Sequence, residues 1–488
     1  MAMKIWERHK KKLIALGMLL LAAPVGHGIV RMATAISPPA GVTTTTGAET
    51  VREENGIRRV GKAYARVRAG VREVYLEGDA ESIGRDHARL LRERMMSNEL
   101  ALWDDFERAV PFAPARALLM DIGRVRYRHV DLGVPEVRLR ELAAEAAAFE
   151  PEPLSGTMPT YHRLLFLHAL YDIALSFEHS PLIGCSSFTL GPSRTQNGHA
   201  LMARAFDFEA GDVFDRDKAV YFVRSPGAIP FASVAWPGLI GVMSGMNLEG
   251  VSIVVHGGRA REPRTSGIPV VFSLREVLER AHDTDEAVAI LREQSVMVSH
   301  IVMVNDARGH AVVVERAPGE PATLREESED RLALTNHFEG PLKDDPRDHQ
   351  VRAGTSTLPR RSRLDEMLAE VGPSSGSVAS MVSMLRDHRC AADVQGACDL
   401  GDRRTIDALI ATHGIVADAT DRVLWVSEGP HLSGRFVRFD LRTIFAEGHD
   451  PARDPEPETL PADPILQDGR YETGRAHAGG WHVKGQGQ

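Results

Sequence analysis

Apolar positions recur at helical spacing through the first part of the chain and at strand spacing after it. From Val60 to Leu182 the pattern is mostly helical. Asp79 stands where it can cap a helix carrying Ile83, Leu90, Leu91 and Met95, and Leu164, Leu167, His168, Tyr171 and Leu175 form a second stripe. At Pro181 the character changes. Cys185–Leu190 reads as a strand, Asn197-Gly198 as a two-residue turn tolerant of positive φ, and Ala200–Phe208 as the returning strand. That turn would pair Gln196 with His199. Further strands are predicted at Ala219–Arg224, Val251–His256, Ile301–Asn305, Ala311–Glu315 and Leu332–Asn336, with a late hairpin joining Gly414–Ala417 to Val423–Val426. Helices interrupt at about 271–281, 284–294, 361–371 and 376–386. Strands in runs, with helical pairs inserted between them, predict an α+β layered fold, not a parallel βαβ sheet.

The ends read differently. Lys4–Lys12 is basic, Leu13–Val25 is apolar, and Ala33-Thr34-Ala35 follows, the layout of an export signal. An uncleaved anchor fits the same stretch, although about 13 apolar residues is short for a span. We therefore expect residues 1–35 to be a signal peptide or anchor and 36–58 a linker. Residues 59–184 should be a mainly helical segment, 185–447 the body, and 448–488 a poorly ordered, Pro- and Gly-rich tail. The expected location is outside the cytosol, periplasmic or extracellular.

Composition narrows the choices. With 488 residues, 43% hydrophobic and 26% charged, the chain can bury a substantial core. A net charge of -9 gives no basic excess for nucleic acid. Three cysteines are present: Cys185, Cys390 and Cys398. In an exported protein Cys390 and Cys398, close in a polar loop, can pair, leaving Cys185 as an odd thiol. Three reduced cysteines, or a metal site at Cys390 and Cys398, are the alternatives. The second lacks a completed ligand array.

Gly184-Cys185 is where chemistry concentrates. Glycine permits close approach to its carbonyl. Attack by the Cys185 thiol, acyl shift and hydrolysis would leave Cys185 as a new N-terminus. Its α-amine, with a reference pKa of about 7.7–8.0, could then act as base for its own thiol. The hairpin brings Arg204 and Asp207 beside the start of the first strand; the bland alternative is a cross-strand ion pair. Asn247, in Ser244–Gly250, and Asn336, at a strand end, could donate to an oxyanion or simply cap turns. Gly372-Pro373-Ser374-Ser375-Gly376 has the letters of a nucleophile elbow, but a predicted helix precedes it where a strand is required.

Gly184-Cys185-Ser186-Ser187-Phe188, Asn197-Gly198, Arg204-Ala205-Phe206-Asp207, Gly245-Met246-Asn247, Thr335-Asn336 and Ser362-Arg363 occur in that order. The set resembles the N-terminal nucleophile (Ntn) hydrolases, the penicillin acyltransferase-like autoproteolytic branch more than the choloylglycine hydrolases. The resemblance implies a four-layer αββα sandwich preceded by a cleaved helical propeptide. It also implies Cys185 as nucleophile, Asp207 as amine partner, Asn247 as oxyanion donor and Arg363 as a structural or polarising cation, with Arg204 and Asn336 lining the site. The expected activity is amidohydrolase or acyltransferase, on a linear N-acyl amine or N-acyl amino acid, through a thioester and without a cofactor or metal. The cleaved chains would stay associated, and the N-terminus could tether the protein to a membrane. An uncut, membrane-tethered binding module with the same sandwich is the alternative.

Overall fold

The alternation in the second half of the chain becomes two stacked β-sheets. The structure is a computed structural model that describes residues 24–42, 50–149, 154, 156–176, 183–208 and 212–478. A helix, α1, covers 24–33. Strands β1 (Arg52–Glu54), β2 (Ile57–Val60), β3 (Ala63–Arg68) and β4 (Val71–Glu77) follow. Helices α2 (Ala80–Ala109), α3 (Ala113–Arg126), α4 (Glu136–Phe149), α5 (Thr160–His168) and α6 (Leu170–Leu175) come next. Then come β5 (Ile183–Leu190), β6 (Leu201–Phe208), α7 (Val213–Arg216), β7 (Ala219–Arg224), β8 (Phe231–Ala235), β9 (Ser244–Asn247) and β10 (Ser252–Gly257). Helices α8 (Val270–Arg280) and α9 (Thr284–Glu293) precede β11 (His300–Asn305), β12 (Ala311–Arg316), β13 (Thr323–Glu326) and β14 (Arg331–Leu334). Last are α10 (Pro346–Gly354), α11 (Thr357–Glu370), α12 (Val378–Leu385), β15 (Ala411–Asp418), β16 (Val423–Ser427), β17 (Phe436–Asp440), α13 (Leu441–Ile444), β18 (Thr459–Leu460) and α14 (Arg470–Ala478).

The larger sheet runs β1-β2-β3-β4-β7-β8-β9-β10-β11-β12-β13 and the smaller β14-β5-β6-β15-β16-β17-β18. Period-two alternation gives each sheet two buried faces. Between the sheets, Met202, Phe222, Val254, Met303, Ile415, Leu424 and Phe439 form one core. Outside the larger sheet, Leu90, Leu142, Leu164, Leu274 and Leu291 pack helices onto Val302 and Val314. Outside the smaller, Leu364, Met367, Met381 and Leu385 cover Phe188, Ala203 and Ala205. The fold is therefore α+β with four layers, αββα.

The N-terminal segment is built into this sandwich. β4 pairs in parallel with β7, Arg72 opposite Ala219 through Glu77 opposite Arg224. Buried ion pairs join the same two parts. Arg275 meets Glu141 at 2.6 Å and Arg138 meets Glu279 at 2.6 Å. His87 bridges Glu145 and the Tyr221 hydroxyl. Removing one partner of such a pair strands a buried charge, so these contacts specify docking strongly.

Three expectations change. The stretch read as a linker already carries β1 and the start of β2, and β2–β4 precede the helices in the segment read as mainly helical. These strands hide from a hydrophobicity pattern because they bury charge: Arg66 and Glu73 pair at 2.9 Å, with the Tyr64 hydroxyl on Glu73 at 2.7 Å. The tail is ordered through residue 478. Arg66 and Arg68 hold the carbonyls of Pro451 and Pro455, β18 pairs with β17, and Ile465 and Ala478 are buried. The export-signal reading of residues 1–23 lies outside the described residues. Asp79 caps α2 as expected, accepting from Ser82 N at 2.8 Å.

Candidate active site

β5 and β6 are neighbours, as the alternation predicts, but their connection is longer than a two-residue turn. Thr195 bridges Gly376 instead of extending the hairpin, so residues 191–200 form a loop. Gly198 does adopt positive φ (73°) there. A Gln196–His199 rung would have put Cys185 opposite position 210; the ladder puts it opposite Phe206, and Gly184 opposite Asp207. Ser374 N and Ser375 N donate to Ser193 O and Arg194 O, so Gly372–Gly376 is a docking loop.

Strand alternation divides the site between two faces. Cys185 and Ser187 share the face of Arg204 and Phe206, towards the larger sheet; Asp207 lies on the other side of β6. Cys185 is the free cysteine among the described residues and is buried, while Cys390 and Cys398 are disulfide-bonded. Arg204, wholly buried, donates Nη2 to Cys185 Sγ at 3.4 Å and to Val255 O. Its Nη1 donates to Met243 O and Ser244 Oγ, and its guanidinium carbon lies 4.4 Å from the centre of the Phe206 ring. No carboxylate pairs with Arg204 among the described residues. Burial pushes the Cys185 thiol up, against the pull of the Arg204 charge.

Two hydroxyl–imidazole pairs flank the guanidinium. Ser244 Oγ accepts from Arg204 and lies 2.9 Å from His413 Nε2. Ser187 Oγ lies 2.7 Å from His256 Nε2, and His256 Nδ1 faces Thr335 O at 3.1 Å. Burial, then the Arg204 charge, holds both histidines well below their ordinary range, so neither adds a second cation.

Asn336 closes the backbone side. β14 pairs with β5 as far as Leu334 opposite Ser187; beyond it the Asn336 side chain replaces the strand. Oδ1 accepts from Cys185 N at 2.8 Å and from Arg360 Nη2 at 2.9 Å, while Nδ2 donates to Gly257 O at 3.1 Å. Arg360 also donates to Cys185 O and to Ser186 Oγ. Asp207 lies against Gly184: a methyl group added there would stand 3.2 Å from Asp207 Oδ2.

The structure thus gathers Cys185, Arg204, Asp207 and Asn336, but not Asn247 or Arg363. Asn247 Nδ2 donates to Leu278 O and Ala281 O at the end of α8, and its Oδ1 accepts from Glu249 N and Val251 N. Its amide is spent on these four bonds and is not directed at the Gly184–Cys185 peptide, where the expected oxyanion role would need it. Arg363 pairs with Asp387 at 2.9 Å and Glu366 at 2.8 Å. Arg360, one helical turn earlier on α11, takes the place expected of it. Ser187, Ser244, His256 and His413 carry no sequence signal of their own. Only fold-level proximity finds them.

An apolar cavity of about 80 Å³ adjoins the Cys185 strand pair. Its walls combine Met95 and Leu102 of α2 and Leu164 and Leu167 of α5 with Phe206, Phe208 and Trp236. Tyr171 of α6 also lines it, with its hydroxyl buried and without a hydrogen-bond partner among the described residues.

With this geometry in hand, known proteins give the following likenesses. Residues 193–396 match the family described as acyl-coenzyme A:6-aminopenicillanic acid acyl-transferase. A curated relative, an uncharacterized protein of Archaeoglobus fulgidus, is 24% identical over 257 residues, 48% of this chain and 41% of the relative, so the chain spans well under half of that protein. Among solved structures, a Caenorhabditis elegans ortholog of N-acylethanolamine-hydrolyzing acid amidase is 17% identical, with a TM-score of 0.36, covering 48% of this chain and 93% of that one. A penicillin V acylase from Agrobacterium tumefaciens is 16% identical at a TM-score of 0.33, covering 52% and 91%. A conjugated bile acid hydrolase from Clostridium perfringens is 11% identical at 0.35, covering 57% and 97%. Over residues 193–396 the chain is thus similar to the penicillin acyltransferase family, the likeness its ordered motifs led us to expect.

Proposed function

We propose that the protein is a self-processing cysteine amidohydrolase or acyltransferase with Cys185 as its nucleophile. The observation that carries this is Arg204: a buried cation bonded, among the described residues, only to neutral acceptors and to one group able to become an anion, the Cys185 thiol. A thiolate at Cys185 would complete its charge balance.

Processing would begin with attack of Cys185 Sγ on the Gly184 carbonyl carbon. The Gly184–Cys185 C–N bond breaks, the thiol proton passes to the Cys185 nitrogen, and Gly184 is left as a thioester. Water hydrolyses it to a Gly184 carboxylate and restores the thiol. The new α-amine stays where Asn336 Oδ1 accepts from it, with the Asp207 carboxylate close to the same strand end. In turnover that amine takes the thiol proton, the thiolate attacks a linear amide, and the amine product leaves. Water or a second amine then accepts the acyl group. Arg360 and Asn336 position the Cys185 backbone. The cavity beside Phe206 favours an apolar acyl group. The cleaved chains would stay together through the β4–β7 ladder and the buried ion pairs. The disulfide accords with a place outside the cytosol.

The test is intact mass and a denaturing gel of purified protein. Two fragments meeting at Gly184/Cys185 are expected, with Cys185→Ala remaining whole, and amine release from medium- or long-chain N-acyl amides should require the cut. A single uncut chain that hydrolyses these amides would reject the mechanism. An uncut, inactive chain would favour a binding module.

A further inference from the structure

Helix α3 is inside out. Its one buried residue is a cation, Arg124, while Leu118, Leu119, Ile122 and Val125 are exposed. Leu118, Ile122 and Val125 fall at i, i+4 and i+7, one stripe of the helix. Across a groove, α1 repeats the pattern: Val25, Ile29 and Met32 have the same spacing and are 61%, 61% and 83% exposed. The contact that holds the two helices together is polar. His27 Nδ1 lies 2.8 Å from Asp121 Oδ2, and Arg124 lies 2.9 Å from Asp121 Oδ1. Polar groups join the pair while both apolar stripes stay exposed, that of α3 lining the groove between the helices, the reverse of a helix pair packed in water.

From these features we infer that α1 and α3 form a docking surface for a lipid bilayer, lying in its interface. Two observations select lipid. In the sequence the apolar run Leu13–Val25 leads directly into α1, whose exposed stripe begins at Val25. Charge at the patch is complementary to anionic headgroups: Arg126 and Arg128 are exposed at the end of α3, and Lys4, Arg8, Lys10, Lys11 and Lys12 precede the apolar run. Among the described residues no helix is long and apolar enough to cross a membrane. The inference rests on α1 and α3 and is independent of the chemistry at Cys185.

The test uses the full chain with an environment-sensitive bimane label on Ile122→Cys or Met32→Cys, and on Arg308→Cys as a distant exposed control. Vesicles are phosphatidylcholine alone or mixed with phosphatidylserine. The labels at 122 and 32 should shift to the blue on vesicles and that at 308 should not, with tighter binding to the anionic vesicles. Leu118→Glu combined with Ile122→Glu should weaken partitioning by about tenfold or more, read with the label at 32. A chain that does not bind vesicles overturns the inference. So does one that binds while both patch labels stay aqueous, since the N-terminal run would then be acting alone. Blue shifts that need no vesicles and rise with protein concentration would assign the face to a second copy.

Discussion

Replacing Arg204 with methionine removes the one cation that, among the described residues, bonds the Cys185 thiol. At 3.4 Å and an effective dielectric of about 20, a full charge pair is worth at most about 5 kcal/mol. A hydrogen bond to a charged group contributes about 1.5–3 kcal/mol net, which we take as the thiolate stabilisation lost. That alone lowers the thiolate fraction about 10- to 150-fold at neutral pH. The more basic thiolate is intrinsically more nucleophilic, with a Brønsted coefficient of about 0.4–0.5, and this recovers nearly half of the logarithm. Self-cleavage should therefore slow by about 5- to 15-fold, followed as fragment appearance on denaturing gels. The deficit should shrink as pH rises and both proteins become ionised. Methionine also strands Met243 O, Val255 O and Ser244 Oγ, each costing about 1–3 kcal/mol if unsolvated. Arg204→Lys, which keeps the charge, is the companion variant and should process closer to the parent. Equal deficits at every pH, or Arg204→Met cutting as fast as the parent, would refute a role for the cation in forming the thiolate.

Arg360→Lys should slow self-cleavage by about tenfold or more, because lysine cannot reach Cys185 O, Ser186 Oγ and Asn336 Oδ1 together; Arg363→Lys, altering an ion pair away from the thiol, should leave the rate within about twofold. The reverse order on the same gel assay would restore the original motif assignment. Asn247→Ala should lower stability by about 2–4 kcal/mol in urea titrations through its four lost bonds; unchanged stability with lost activity would return it to the oxyanion site. Asp172, buried and accepting from Val270 N at 3.0 Å, is pushed up to about 7 by desolvation. Folded Asp172 thus keeps a proton that the unfolded chain releases near pH 4, so its contribution is fully present below that and is lost as pH rises to about 7. In the uncut Cys185→Ala background, Asp172→Asn should flatten that decline in urea midpoints; an unchanged slope would count against it.

Much of this was legible from period and spacing. β5, β6, β7, β10, β11, β12, β15 and β16 fall on predicted strands, because each alternates between two packed faces. Arg204 and Asp207 arrive beside Cys185 because both lie on the strand that returns along β5. The register was wrong by an even number of residues, so every side chain kept its face while its partner moved along the strand. What stayed illegible was decided by tertiary contacts. Letters cannot say whether Arg360 or Arg363 faces β5; the phase of α11 does. Nor can they say that Asn247 is spent on α8. β2–β4 lack a clean apolar alternation because Arg66–Glu73 and the returning tail neutralise charges that look solvent-bound.

The parallel seating of β4 on β7 means that opening Gly184–Cys185 would turn one foldable chain into two strands of a single sheet with no covalent link between them. Before the cut, refolding is unimolecular; afterwards reassembly requires two fragments to meet. The midpoint of unfolding would then fall on dilution, where that of the uncut chain would not. Peptide-bond hydrolysis would thus make the mature protein a kinetically held state whose lifetime is set by its unfolding rate, since neither fragment carries the instructions for the whole sheet.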